Sequence, residues 1–174
     1  MNKNKLTSCA GFEKMANLEE LSLMENEIAT LAGMSNLPKL RKLYLNTNKI
    51  ESLDDLPDLP SLEILQLDSN AIASLDQLKN LAKLKNLREL TMGGNPIADE
   101  KADDFKKEIL ILLMHELPEL RKINGDGWDE ELLADVKGTM IERAKEAERL
   151  RLEAEGKPPP EEAAEGEGEE GDAD

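Results

Sequence analysis

Histidine and cysteine, the side chains best suited to acid–base, nucleophilic or metal chemistry near neutral pH, each occur once in this sequence, as His115 and Cys9. Cys9 falls on an apolar position of a repeating pattern, where it reads as a small core residue. His115 falls in the last turn of an amphipathic segment, where a cation suits the helix dipole. Carboxylates are plentiful, 38 Asp and Glu, but they are interspersed with Lys and Arg on charged stretches and are solvated rather than tuned. No glycine-rich loop, no His/Cys ligand cluster and no nucleophile with a base in reach can be assembled, so a non-catalytic protein without cofactor or metal is expected. What remains is the chemistry of recognition. Met24, Tyr44 and Ile64 are of types that anchor protein interfaces. They recur in one phase with Glu20, Ser22, Lys42, Asn46, Gln66, Asp68, Glu89 and Thr91.

The element that places these residues is written four times. Residues 18–26 read LEELSLMEN and are followed two residues later by Ile28. Residues 40–48 (LRKLYLNTN, then Ile50), 62–70 (LEILQLDSN, then Ile72) and 87–95 (LRELTMGGN, then Ile97) repeat it at steps of 22, 22 and 25. Within each copy the L-x-L leucines alternate with outward residues at the period of a strand. One such strand cannot bury its leucines alone; stacked copies bury a continuous apolar ladder. The asparagine closes the turn after the strand, with an amide that both donates and accepts. Ile28, Leu31, Met34 and Leu37, and again Ile50, Leu53, Leu56 and Leu59, fall at every third residue, the spacing of tight helical turns. The pattern resembles the signature of leucine-rich repeats. That resemblance implies an α/β solenoid with a curved parallel sheet, short helical turns on its convex side and a helical C-terminal cap. Stacking then aligns the concave residues in columns: Glu20, Lys42, Ile64, Glu89; Ser22, Tyr44, Gln66, Thr91; Met24, Asn46, Asp68. These eleven are the candidate partner-binding residues.

The ends read differently. Counting back by one repeat, Asn4 falls where Asn26 does and Leu6 where Ile28 does, and Cys9, Phe12 and Met15 match Leu31, Met34 and Leu37. The chain thus opens inside a repeat, which predicts truncation and an apolar ladder exposed at Leu6, Phe12, Leu21 and Leu23. After Ile97, Asp99 is placed to cap a helix beginning near Glu100, with Phe105, Ile109, Leu112 and Leu113 as its buried stripe. A last half-repeat at 120–123 is closed by Asn124-Gly125, giving a first domain of 1–127. Residues 128–155 read as a charged helix whose thin apolar edge (Leu133, Val136, Met140, Ala147, Leu150) is broken by Arg143; a solvated single helix is expected, a coiled coil being the alternative. Residues 156–174 are read as a disordered acidic tail, because 161–174 hold eight acids, no bases and otherwise only Gly and Ala.

A formal charge of −16 disfavours nucleic acid or an anionic membrane as a direct partner and favours other proteins with a basic surface. No apolar run reaches membrane-spanning length. The single cysteine suits a reducing compartment, so a nuclear or cytoplasmic location is expected.

The 22-residue repeats also resemble those of protein phosphatase 1 regulators. The unit from Asn95-Pro96-Ile97 through Ile109, with Leu117-Pro-Glu-Leu120 and Asn124-Gly125, looks like the C-terminal cap of two families. One is the acidic leucine-rich nuclear phosphoproteins, which bind histones and inhibit a phosphatase. The other is the axonemal dynein light chain one type. The acidic tail points to the nuclear family, and Asn95-Pro96 fits the axonemal and spliceosomal relatives. Ile123-Asn-Gly stands where Leu-Asp-Gly is usual. The resemblance implies a non-catalytic interaction module binding basic proteins such as histones, with a scaffold of the cytoskeleton or cilium, or a phosphatase regulatory subunit, as the alternatives.

Overall fold

The computed structural model describes residues 1–12, 14–34, 37–101 and 104–156. Four L-x-L copies and the final half-repeat form five parallel strands in sequence order: β1 (Glu20–Ser22), β2 (Lys42–Tyr44), β3 (Ile64–Gln66), β4 (Glu89–Thr91) and β5 (Lys122–Ile123). Each strand has only two or three residues, because a coil of the solenoid turns away as soon as its leucines are delivered. The central leucines Leu21, Leu43, Leu65 and Leu90 lie in register with one another, and Leu90 with Ile123. Leu23, Leu45, Leu67 and Met92 are fully buried in the next layer of the same ladder.

The repeated asparagines hold successive coils together. Asn48, Asn70 and Asn95 each accept an N–H from the preceding coil, from Ile28, Ile50 and Ile72, at 3.0, 3.1 and 3.1 Å. Their Nδ2 groups donate to carbonyls of both coils: Asn70, for instance, to Leu45 and Leu67. These carbonyls and N–H groups lie where no strand partner reaches them, and leaving them unpaired would cost about 1–3 kcal/mol each. The residue before each asparagine is left-handed, with φ of 55° at Glu25, 58° at Thr47, 54° at Ser69 and 67° at Gly94.

On the convex side the first coils make isolated turns, such as Met34 N–H to the Leu31 carbonyl and Leu56 N–H to the Leu53 carbonyl, rather than continuous helix. The longer third repeat has room for a 3₁₀ helix, Leu75–Lys83, capped by the Ser74 side chain. It packs against the cap helix Phe105–Leu113.

That cap departs from the expectation. Its first helix, α1 (Pro96–Lys101), begins at the proline, with Asp99 inside its first turn rather than capping it. Proline has no N–H to lose and a φ already suited to a first helical residue, so Asn95-Pro96 is itself the start signal. A second helix, α2 (Phe105–Leu113), buries Phe105, Ile109, Leu110 and Leu113; Leu110 takes the place assigned to Leu112, which is half-buried.

The N-terminal end departs too. Phe12, Leu21 and Leu23 are 5%, 6% and 0% exposed, and Leu6 is half-buried. The exposed ladder is therefore not found. Residues 1–6 run along β1 as a partial coil: the Met1 nitrogen and Lys3 N–H donate to the Ser22 and Met24 carbonyls, and Leu6 N–H donates to Asn26 Oδ1. Lys3 even repeats the left-handed turn, with φ 55°. Cys9 is buried as expected, whereas Met15, matched to Leu37, is 44% exposed.

The chain divides into two compact units, Met1–Leu132 and Leu133–Asp174. The helix α3 (Glu130–Ala154) carries intrahelical ion pairs such as Arg149 with Glu146 and Arg151 with Glu148, and Val136 is its buried residue. No helix among the described residues is long and apolar enough to cross a membrane. The acidic residues 161–174 lie outside the described residues.

Candidate binding face

The register puts the expected columns side by side. Glu20 pairs with Lys42, Lys42 with Ile64 and Ile64 with Glu89; Ser22 pairs with Tyr44, Tyr44 with Gln66 and Gln66 with Thr91. Glu20 and Lys42 are exposed, and the other nine candidate residues are half-buried. Their neighbours on the strands point into the leucine core, so all of columns one and two face the groove.

Most polar residues of this face are engaged with a neighbouring coil. Asn46 Nδ2 donates to Gln66 Oε1 at 2.9 Å, and Asn46 Oδ1 accepts the Asp68 N–H at 3.2 Å. Asp68 accepts the Gly93 N–H at 2.8 Å and the Thr91 hydroxyl. At the other end Asn2 plays the same part, accepting the Ser22 hydroxyl at 2.7 Å and the Met24 N–H at 3.1 Å. Asn2, Asn46 and Asp68 thus form a second ladder, in which a side chain in one coil holds the backbone of the next. Sequence reasoning placed Asn46 and Asp68 on the face but missed this role. The available signal was a short acceptor recurring just past L-x-L, and Asn2 obeys it two residues into the chain.

The apolar members are left on the floor of the groove. Tyr44 has Met24 diagonally behind it, one strand back and two residues on. Ile64 lies diagonally ahead, one strand on and two residues back. Long side chains reach across such diagonals, so a ring, a thioether and a branched aliphatic chain cross three strands as one oblique stripe. Glu20 and Lys42 flank it as an ion pair of 3.4 Å.

Along the N-terminal edge of the sheet, Glu19, Lys39, Arg41, Ser61, Glu63, Asn86 and Arg88 line a shallow, open polar basin. Its cations are already engaged between coils. Arg41 makes two hydrogen bonds of 3.0 Å to Glu63, Lys39 reaches Asn17 at 2.8 Å, and Arg88 lies 3.9 Å from Glu119. Nearby, the hydrogen bond from Lys85 holds the Glu116 carboxyl below the usual carboxylate range.

Both edges of the sheet are partly covered. Residues 1–3 occupy the β1 side. At β5, Ile123 N–H donates to the Asp126 carbonyl at 2.9 Å and Asp126 N–H donates back to Ile123 at 3.1 Å. His115 is exposed, and burial pushes the Cys9 thiol up to about 11. Among the described residues, no group of three or more His, Cys, Asp or Glu side chains could hold a metal ion.

The family described as Leucine-rich repeat matches residues 8–130. No curated protein sequence matches the chain. Among solved structures, a chain of the Drosophila melanogaster SNF/U2A′ complex is similar at 18% identity and a TM-score of 0.62, over 80% of this chain and 86% of that one. The Chaetomium Mex67:Mtr2 subunits are similar at 21% identity and a TM-score of 0.42, over 56% and 62% of the two chains. The Leptospira interrogans LRR protein LIC12759 gives 28% identity and a TM-score of 0.39, over 62% of this chain and 31% of that one.

Proposed function

The chain belongs to the leucine-rich repeat family, and we propose that it is a non-catalytic protein–protein interaction module whose concave face receives the partner. The observation that carries this reading is the oblique stripe Met24–Tyr44–Ile64. These three stand half-exposed on a sheet face where Asn46, Gln66, Asp68 and Thr91 are tied to one another, and their own side chains make no hydrogen bond among the described residues. A tyrosine flanked by aliphatic groups in a concave, partly desolvated setting is the usual form of an interface anchor. The fold occurs in a protein assembly in at least one of its structural neighbours, the SNF/U2A′ complex.

For the partner we propose a basic protein, in the manner of the acidic leucine-rich nuclear phosphoproteins with histones, and a nuclear location. The net charge of −16 and the acids of 161–174 support that choice. The test is a titration of core histones into the full chain and into its Tyr44→Ala/Ile64→Ala variant, with melting curves for both. Loss of about 2 kcal/mol of binding or more, the hot-spot scale, with unchanged melting is the expected result. Equal affinity of the two proteins would remove the concave face, and no histone binding by either would remove the basic partner.

A further inference from the structure

We propose that Asn124-Gly125 is a self-modifying site, at which succinimide formation and hydrolysis convert Asn124 to aspartate or isoaspartate and, in the latter case, open the β5 edge of the sheet. Of the asparagines in the sequence, Asn124 is the one followed by glycine. Its surroundings set it apart as well. Asn26, Asn48, Asn70 and Asn95 have both ends of the amide bonded between coils, and their following residues are Glu27, Lys49, Ala71 and Pro96. Asn124 and Gly125 are exposed, and they form the tip of the hairpin closed by Ile123 and Asp126. Their φ values of 53° and 87° are the positive pair that a type I′ turn requires, which is why Asn-Gly is found there.

The carboxamide that must react is held by the fold. Asn124 Oδ1 accepts the Met92 N–H at 2.8 Å. A backbone donor in that position steadies the negative charge that grows on this oxygen when the carboxamide carbon is attacked, the logic of an oxyanion hole. The attacking atom is the Gly125 nitrogen, which donates no hydrogen bond among the described residues. A Cβ on Gly125 would meet no heavy atom within 4 Å, so the tip of the turn stands open. The Gly125 nitrogen loses its proton to solvent and forms a bond to Asn124 Cγ. The Cγ–Nδ2 bond breaks, and the nitrogen leaves as ammonia carrying a proton from water, closing a five-membered succinimide. Water then adds to one of the two ring carbonyls and the ring C–N bond breaks. Opening at the side-chain carbonyl gives aspartate; opening at the main-chain carbonyl routes the chain through Cβ. No electrons are gained or lost, and solvent water is the only co-reactant.

The isoaspartyl product lengthens the backbone by one carbon within a two-residue turn. The Ile123–Asp126 hydrogen bonds then lose their register, and the outward N–H and C=O of Ile123 become free. An unpaired edge of this kind is a template for another chain. The experiment is ageing of the full-length native chain in mildly alkaline buffer beside the same chain unfolded in denaturant. Peptide mass spectrometry and an isoaspartate assay follow residue 124 in both. Conversion at Asn124 at a rate within about tenfold of the unfolded chain supports the proposal; native conversion slower than that overturns it, since the fold would then protect the site. The isoaspartyl fraction, separated from the Asn124→Asp variant as reference, should exchange the Ile123 amide rapidly. Slow exchange there, equal to the reference, would sink the edge-opening part.

Discussion

Asn70 and Ile50 belong to neighbouring coils, 20 residues apart, and the Asn70 side-chain oxygen accepts the Ile50 N–H at 3.1 Å in a fully buried bond. The same amide donates to the Leu45 and Leu67 carbonyls at 3.0 and 2.9 Å. Asn70→Ala strands the buried Ile50 N–H and leaves the Leu45 and Leu67 carbonyls with one donor each, Asn48 and Asn95. It should cost about 2–3 kcal/mol, the upper part of the range for an unpaired buried donor. Asn46→Ala, on the half-buried concave face, leaves groups that water can reach and should cost about 1 kcal/mol. Denaturant melts of the two variants check this; equal losses would mean that the buried ladder is no more important than the concave one.

Thr47 sits at φ 58°, where its equivalents are Glu25, Ser69 and Gly94. A β-branched residue is the least suited of these to a left-handed backbone. Thr47 is exposed, so its side chain repays little of that strain by packing. Thr47→Gly should stabilise the protein by about 1 kcal/mol, the strain relieved exceeding the extra freedom of the unfolded chain. The reverse exchange, Gly94→Ala, should destabilise, because φ is 67° and the new Cβ would lie 3.2 Å from Ser69 Oγ. A pair of thermal melts decides the sign.

How far the sequence disclosed this molecule depends on what kind of interaction is asked about. The leucines repeat at 22 and 25 residues, and that alone gives the strands, their register and the columns of the groove, because burial on a period-two strand admits one alignment. What was not legible is work done by single polar side chains. Asn2 fastens the first coil without a leucine motif. Asn46 and Asp68 read as recognition residues, and the sequence did not show that they also brace the next coil. The Asn95-Pro96 start of α1 was available in the sequence, but Asp99, an equally good capping type, competed with it. The apolar stripe was legible for the opposite reason: Met24, Tyr44 and Ile64 break the polar rule of their columns.

Cys9 is fully buried, and desolvation raises its thiol from the ordinary range to about 11. The folded protein therefore holds this proton more tightly than the unfolded chain does. The stability it contributes is fully present below the unfolded thiol's pKa and is lost as pH rises through that value toward about 11. The loss should reach on the order of 2 kcal/mol. Comparing the alkaline stability profiles of the wild type and Cys9→Ala isolates it, because the two proteins differ only at this residue. The gap between the two proteins should narrow above the ordinary thiol range; parallel profiles would mean that the thiolate is accommodated. Below that range, alkylation of Cys9 should proceed only as fast as the N-terminal coil opens.

The acids at 161–174 carry eight negative charges with no base among them. Charges spread along such a segment act over a Debye length, about 10 Å at moderate salt, rather than through fitted contacts. On the proposal of a basic partner, they should raise the rate of encounter and leave the lifetime of the complex to the Met24–Tyr44–Ile64 stripe. Deleting 161–174 should then slow association by about tenfold at low ionic strength and by far less at high, with dissociation almost unchanged. Tyr44→Ala/Ile64→Ala should do the opposite, speeding dissociation while association stays salt-dependent. Stopped-flow kinetics with histones at two salt concentrations separate the two effects. If deleting the acids leaves the association rate and its salt dependence as they were, those residues serve solubility, and the charge that selects the partner must be sought on the repeats themselves.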